Sequence, residues 1–210
     1  MNLADALSAG LAKHVGTVLT GDDARKLAGF ILWATQPADL CRDPAQFEPE
    51  EYKGVTFQVE RMRDVVEEIK PLHQAHWQET EGYRHDQVCN PDYEAFIYHE
   101  RIGQYMLFTV RKDGILVGNC AVYVTRSTHT QELVAREDTL FILKDHRAGL
   151  IGKRFFQYCE RVLESLGVSD VNFDVKLTNN VWKVWKRMGY DIVGHSMRKK
   201  LKGASNAAQV

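Results

Sequence analysis

Apolar positions recur at helical spacing from the start of the chain. Leu3, Leu7 and Leu11 share one helical face. Ala24, Leu27, Ile31 and Leu32 give a second stripe, which Thr20 or Asp22 can cap. Gln36 to Glu51 holds Pro37, Pro44, Pro49 and several acids, the composition of a linker or irregular arm. From Val55 the pattern strengthens. Met62, Val65, Val66 and Ile69 recur at helical spacing, and Pro71 is expected to kink or interrupt that helix. Leu72 to Tyr83 continues as helix or turn, and Pro91 and Asp92 open a short helix that Gly103 closes.

A different periodicity follows. Tyr105 to Arg111 and Ile115 to Thr125 are rich in aromatic and β-branched residues, with Lys112-Asp113-Gly114 as the turn between them. Leu133 to Leu143 is predicted as a third strand, ending in Leu140-Phe141-Ile142-Leu143. Ile151, Phe155, Tyr158, Cys159, Val162 and Leu166 then share one face of a long helix closed by Gly167. Asp170 to Lys176 alternates as a strand, Asn179 to Met188 is predicted helical, and Tyr190 to Lys200 is predicted as a final strand. The order of elements predicts an α/β (α+β) fold: a central mixed, mostly antiparallel twisted sheet flanked by helices, with an N-terminal helical extension. The strand–helix–strand unit implies one right-handed parallel crossover.

Composition narrows the function classes. At 210 residues, 44% hydrophobic and 26% charged, the chain suits one ordinary domain with an extension. A net charge of -1 does not favour a polyanion partner, although a local basic patch is compatible with it. No stretch has the roughly 20 apolar residues needed to span a membrane, and the N-terminus does not read as a secretory signal. Cys41, Cys89, Cys120 and Cys159 form no paired spacing, so reduced cysteines and a cytoplasmic location are expected.

The segment from Leu140 to Lys153 carries the chemistry. A buried strand runs into a short basic turn with two glycines, and a long helix starts. Backbone N–H groups at a helix start are unpaired, and with the helix dipole they favour an anion. Glycine allows close approach of the backbone, and Arg147 and Lys153 can add charge. The turn matches neither GxGxxG nor the P-loop pattern, and on its own it also fits an ordinary capped helix.

In its surroundings the segment resembles the GNAT acyltransferases, whose signature is a strand, Q/R-x-x-G-x-G/A and a long helix. Arg147 and Gly152 match the signature, with Leu150 at its middle glycine. "LGVSDVNFDVKLTNN", "VWKRMGYDIV" and "FTVRKDGILVGNCAVYV" are similar to further family segments. PLHxxH and "EDTLF" are similar to a subgroup common in tailed bacteriophages and proteobacteria. The resemblance implies an N-terminal extension and linker over residues 1–54, an acyltransferase domain over 55–202 and a flexible tail over 203–210. It implies acetyl-CoA as co-substrate, no metal, and a gap between two central strands that takes the pantetheine arm. Phe141, Ile142 and Leu143 would pair with the pantetheine amides. Arg147, Ala148, Gly149, Leu150, Ile151, Gly152 and Lys153 would cradle the pyrophosphate, with Asn179 or Asn180 near the cofactor arm.

Acyl transfer to an amine needs a base, a stabilised oxyanion and a proton for the thiolate. Glu137 or Asp138 on the gap-lining strand is expected as base, Glu137 slightly preferred. His129, between two strands, is a further base or substrate ligand. The family's thiolate acid would fall at Trp185, which cannot serve, so the acid is not identified; Tyr190 is expected in core packing. Glu79, Glu81 and Tyr83, on the acceptor-side wall that the resemblance implies, could attract an amine. His73, His76 and Glu79 share a helix face without a partner set, so no metal is expected. The expected acceptor is a small-molecule or peptide amine. A nucleic-acid-modifying transferase and a non-catalytic binding or virion module on the same fold are the alternatives, and residues 1–53 could contribute to a homodimer.

Overall fold

The computed structural model describes residues 3–12, 14–34, 41–80, 82, 88–175, 181–197 and 199. The chain forms two compact units, Met1–Glu48 with Val59–Leu107, and Pro49–Gln58 with Phe108–Val210. One six-stranded sheet runs in the order β1-β2-β3-β4-β5-β6. Its strands are β1 (Glu50–Tyr52), β2 (Val55–Glu60), β3 (Tyr105–Lys112), β4 (Ile115–Arg126), β5 (Leu133–Ile142) and β6 (Val168–Asn172).

In the first unit, α1 (Leu3–Ala12) and α2 (Gly21–Ala34) form as their patterns predict. Thr20 and Asp23 cap α2 reciprocally: Asp23 N–H donates to Thr20 Oγ1 at 3.2 Å, and Thr20 N–H to Asp23 Oδ2 at 3.1 Å. The predicted break at Pro71 does not occur. Helix α3 runs unbroken over Met62–Thr80, because Pro71 lies on its exposed side, where water can satisfy the carbonyl one turn back. Met62, Val65, Ile69, Leu72 and His73 form its buried face. Helix α4 (Tyr93–Arg101) starts where Asp92 accepts Ala95 N–H at 3.0 Å. Its buried Glu100 in turn accepts Met62 N–H at 2.6 Å, so one helix caps the start of the other. A groove of about 530 Å³ lined by Glu67, Lys70, Asp92 and Tyr93 runs along the outer side of this helix pair.

In the second unit, Asp113 and Gly114 both take positive φ, as a two-residue hairpin turn requires. Helix α5 (Ile151–Ser165) buries Phe155, Phe156, Tyr158, Cys159, Val162 and Leu163. Phe155 packs on Phe57 of β2 (ring centroids 5.5 Å apart), and Tyr158 meets Phe108 of β3 edge-on at 6.3 Å. Cys120 and Cys159 face each other in the core; all four cysteines are free thiols. Burial and that contact push the Cys159 thiol well above its ordinary range.

Three predicted elements differ. Strand β6 covers Val168–Asn172 rather than Asp170 to Lys176, because Phe173 leaves the sheet for an aromatic cluster with Phe156, Trp185 and Tyr190. Helix α6 is the short Trp182–Arg187. From Tyr190 to Met197 no strand forms, and Ile192, Val193 and Met197 are exposed. Ile192 and Val193 are adjacent and Gly194 follows, so the segment offers no single apolar face to bury. Strands β1 and β2 are additions to the sequence reading. The alternation Val55, Phe57, Val59, all buried, was a legible signal for β2. Among the described residues no helix is long and apolar enough to cross a membrane.

Candidate functional site

Strands β5 and β6 pair in parallel only from Leu133/Val168 to Arg136/Asn172, whereas β5 runs on to Ile142. Beyond Arg136 the two strands part. An Arg136–Asp174 ion pair of 3.0 Å stands at the parting. On its other edge β5 stays paired with β4, but its register shifts between Ala121/Thr139 and Val122/Glu137. Asp138 is the extra residue of this β-bulge, which bends the strand just past the parting.

The bulge decides where the two carboxylates go. Directly opposed residues of an antiparallel pair share a face. Glu137 opposes Val122, which alternates with Cys120 on the face that meets α5. Glu137 is half-buried there, while Asp138 is exposed and acts on Tyr123 of the opposite face. Burial and the Asp138 charge both push the Tyr123 hydroxyl up. Asn119 and Thr139 lie on that same face, with Asn119 Nδ2 donating to Thr139 Oγ1 at 2.8 Å. Asn119 is fully buried, and its Oδ1 has no hydrogen-bond partner among the described residues.

Past Ile142, a short 3-10 helix (Lys144–His146) and a turn lead into α5. Phe141 and Ile142 are buried. Arg147 folds back on the strand end, donating from Nε to the Ile142 carbonyl at 2.6 Å with its guanidinium 5.0 Å from the centre of the Phe141 ring. It braces the turn. Gly149 takes φ +65, the left-handed conformation that favours glycine, while Leu150 sits at φ -106 and needs none. The substitution at the signature's middle glycine is therefore accommodated by a glycine one residue earlier. No side chain caps α5 at Leu150, and a Cβ on Gly152 would meet open space. The helix start thus presents its first N–H groups without a side-chain acceptor, beside Lys153.

His129 is exposed in the turn beyond the paired end of β4 and β5, where Ser127 Oγ accepts its N–H at 3.3 Å. Glu79 is exposed on the last turn of α3. Glu81, Tyr83, Asn179 and Asn180 lie outside the described residues. Trp185 is buried, stacked on Phe173 at 5.1 Å. Tyr190 joins the same cluster and donates to Glu160 Oε1 at 2.8 Å. That bond, the Glu160 charge and burial hold its hydroxyl far above the ordinary tyrosine range. Among the described residues no three His, Cys, Asp or Glu side chains gather as a metal site.

Two residues near the turn escape the sequence reading. Lys53, in the β1–β2 turn, brings its ammonium to within 3.6 Å of where a Cβ on Gly149 would stand. Arg154, on the first turn of α5, lies 5.5 Å from the Tyr52 ring centre. Lys53 falls in the stretch expected as extension and linker, because β1 before it is short and polar.

No family model matches the chain, and no curated protein does. Solved structures do. A ribosomal-protein-alanine N-acetyltransferase from Brucella melitensis biovar Abortus 2308 is 18% identical, with a TM-score of 0.54 over 70% of this chain and 99% of that one. An aminoglycoside acetyltransferase from an uncultured soil metagenomic sample, in complex with trehalose, is 14% identical, with a TM-score of 0.57 over 73% and 100%. The same enzyme with sisomicin is 14% identical, with a TM-score of 0.56 over 71% and 97%. These likenesses show the fold: a mixed α/β architecture with a curled six-stranded sheet flanked by helices, shared with these acetyltransferase structures.

Proposed function

We propose that the chain is an acyl-CoA-dependent N-acyltransferase that moves an acetyl group from acetyl-CoA to an amine by direct attack. One observation carries this reading: β5 and β6 part after Arg136/Asn172 at a β-bulge, and the freed strand leads into a glycine turn and an uncapped helix start. The parted strand offers backbone amides to an extended polar arm, and the helix start suits a pyrophosphate. Phe141 to Leu143 would align the arm, and Gly149 to Lys153 would hold the phosphates. The thioester supplies the activated acyl carbon.

The chain's own contribution is position and proton transfer. We assign the base to Asp138 rather than Glu137, because Asp138 is exposed beside Tyr123 and Glu137 is half-buried on the face of α5. As the amine nitrogen bonds to the acyl carbon and the C–S bond breaks, Asp138 takes the amine proton, directly or through water. The leaving thiolate takes its proton from solvent, since Trp185 has none to give and Tyr190 is committed to Glu160. The aminoglycoside enzymes of like fold favour a small-molecule amine as acceptor. The carboxylates Glu79 and Glu81 are proposed to attract it by charge, with Tyr83 as a hydrogen-bonding partner; Glu81 and Tyr83 lie outside the described residues. Assignment to the phage and proteobacterial subgroup, a cytoplasmic setting and the 1–54, 55–202 and 203–210 division belong to the same proposal.

Acetyl-CoA is expected to raise the melting temperature, and turnover is expected with an amine panel that includes aminoglycosides. Asp138→Asn should lower kcat by about 10²-fold while Glu137→Gln changes it little. The reverse order moves the base to Glu137. No stabilisation by acetyl-CoA sinks the enzyme reading in favour of a non-catalytic module.

A further inference from the structure

The β1–β2 hairpin supplies cations to the turn before α5 although it lies far from it in sequence. Two contacts dock it along the helix. Arg161 pairs with Glu50 at one end, and the Arg154 guanidinium lies 5.5 Å from the centre of the Tyr52 ring at the other. Lys53 sits at the hairpin tip, next to Tyr52, at φ 49, a conformation uncommon for a side chain other than glycine, asparagine or aspartate. Its ammonium lies 5.7 Å from the same ring and points to Gly149. Two like charges therefore share one aromatic ring, and neither Lys53 nor Arg154 has a carboxylate within ion-pair distance among the described residues. The adjoining stretch 144–154 adds Lys144 and Lys153 against one carboxylate, Asp145. Placing cations side by side without a counter-charge costs stability, so the arrangement calls for an anion of more than one charge.

We propose that Lys53 and Arg154, steadied by Tyr52, bind phosphate groups at the nucleotide end of the acyl donor and set the affinity for it. This rests on the acyl-CoA reading of the same site and adds a residue pair from a segment outside the glycine turn. Coenzyme A carries two phosphate sources, the pyrophosphate and the ribose 3′-phosphate. The chemistry recognised is the same for both, and the place of Lys53 beside Gly149 admits either.

Isothermal titration of the full chain with coenzyme A and with 3′-dephospho-coenzyme A separates them. Lys53→Ala and Arg154→Ala are each expected to weaken coenzyme A about fivefold, and Lys53→Glu more strongly. Lys53→Arg should retain most of the affinity. Lys112→Ala, which removes an equal charge from the exposed β3–β4 hairpin, should leave it unchanged. Loss with both ligands places the cations on the pyrophosphate; loss with coenzyme A alone places them on the 3′-phosphate. Wild-type affinity in both alanine variants, with unchanged melting temperature, overturns the proposal. Failure of the wild-type chain to bind either ligand overturns instead the reading beneath it.

Discussion

Gly118 shows how a single residue positions the strand end. A Cβ there would meet Ile142 Cγ1 at 2.8 Å and the Phe141 carbonyl at 3.0 Å, both belonging to the stretch of β5 that enters the turn. Gly118→Ala must push β5 away from β4 at the point where Arg147 braces it. We expect a destabilisation of about 1–3 kcal/mol, measured by urea denaturation, and weaker coenzyme A binding. Glu137 and Asp138 are adjacent acids that sequence could not rank. Alternation gives one outward residue per pair, but a bulge resets the count, and no sequence pattern marked Asp138 as the extra residue.

Among elements, the start of α3 depends on another helix. Glu100 is buried, and desolvation raises its carboxyl pKa, while hydrogen bonds from the backbone N–H groups of Met62 and Arg63 pull it down. Glu100→Ala leaves those donors unmatched and should cost about 1–3 kcal/mol. Glu100→Gln keeps an acceptor and removes the desolvated charge, so its thermal melt should stay closer to wild type. Most elements were legible: the α5 stripe, the Asp113-Gly114 turn, the Asp92 cap and the helices α1 and α2 follow from local periodicity and capping chemistry. The absent final strand was not. Residues 190–197 have strand-like composition, but a strand exists only where a neighbour offers a ladder, and β6 pairs over Val168–Asn172 alone on its β5 side.

At the scale of the whole molecule, acid stability should carry the mark of His73. It is buried against Tyr93, with Nδ1 3.2 Å from the Tyr93 hydroxyl, and its Nε2 has no partner among the described residues. Burial, with the nearby His76, lowers its pKa from 6.5 to about 4. The folded chain therefore holds it neutral where the unfolded chain would protonate it. Its contribution is intact above pH 6.5 and is lost as pH falls toward about 4, on the order of 3 kcal/mol. Urea titrations at pH 7 and pH 4.5 should show a smaller pH difference in His73→Phe than in wild type. An equal difference would mean that His73 is not the group.

The sequence by itself determined the fold class, the β5–turn–α5 segment and its resemblance to acyl-CoA chemistry, because these rest on local periodicity, turn residues and a helix start. Tertiary structure alone decided which carboxylate faces outward, that Arg147 braces the turn, and that Lys53 reaches Gly149 while Arg154 lies over the Tyr52 ring. Those outcomes depend on register, on a bulge and on the docking of a distant hairpin, all set by which surfaces pack together rather than by the spacing of residues along the chain.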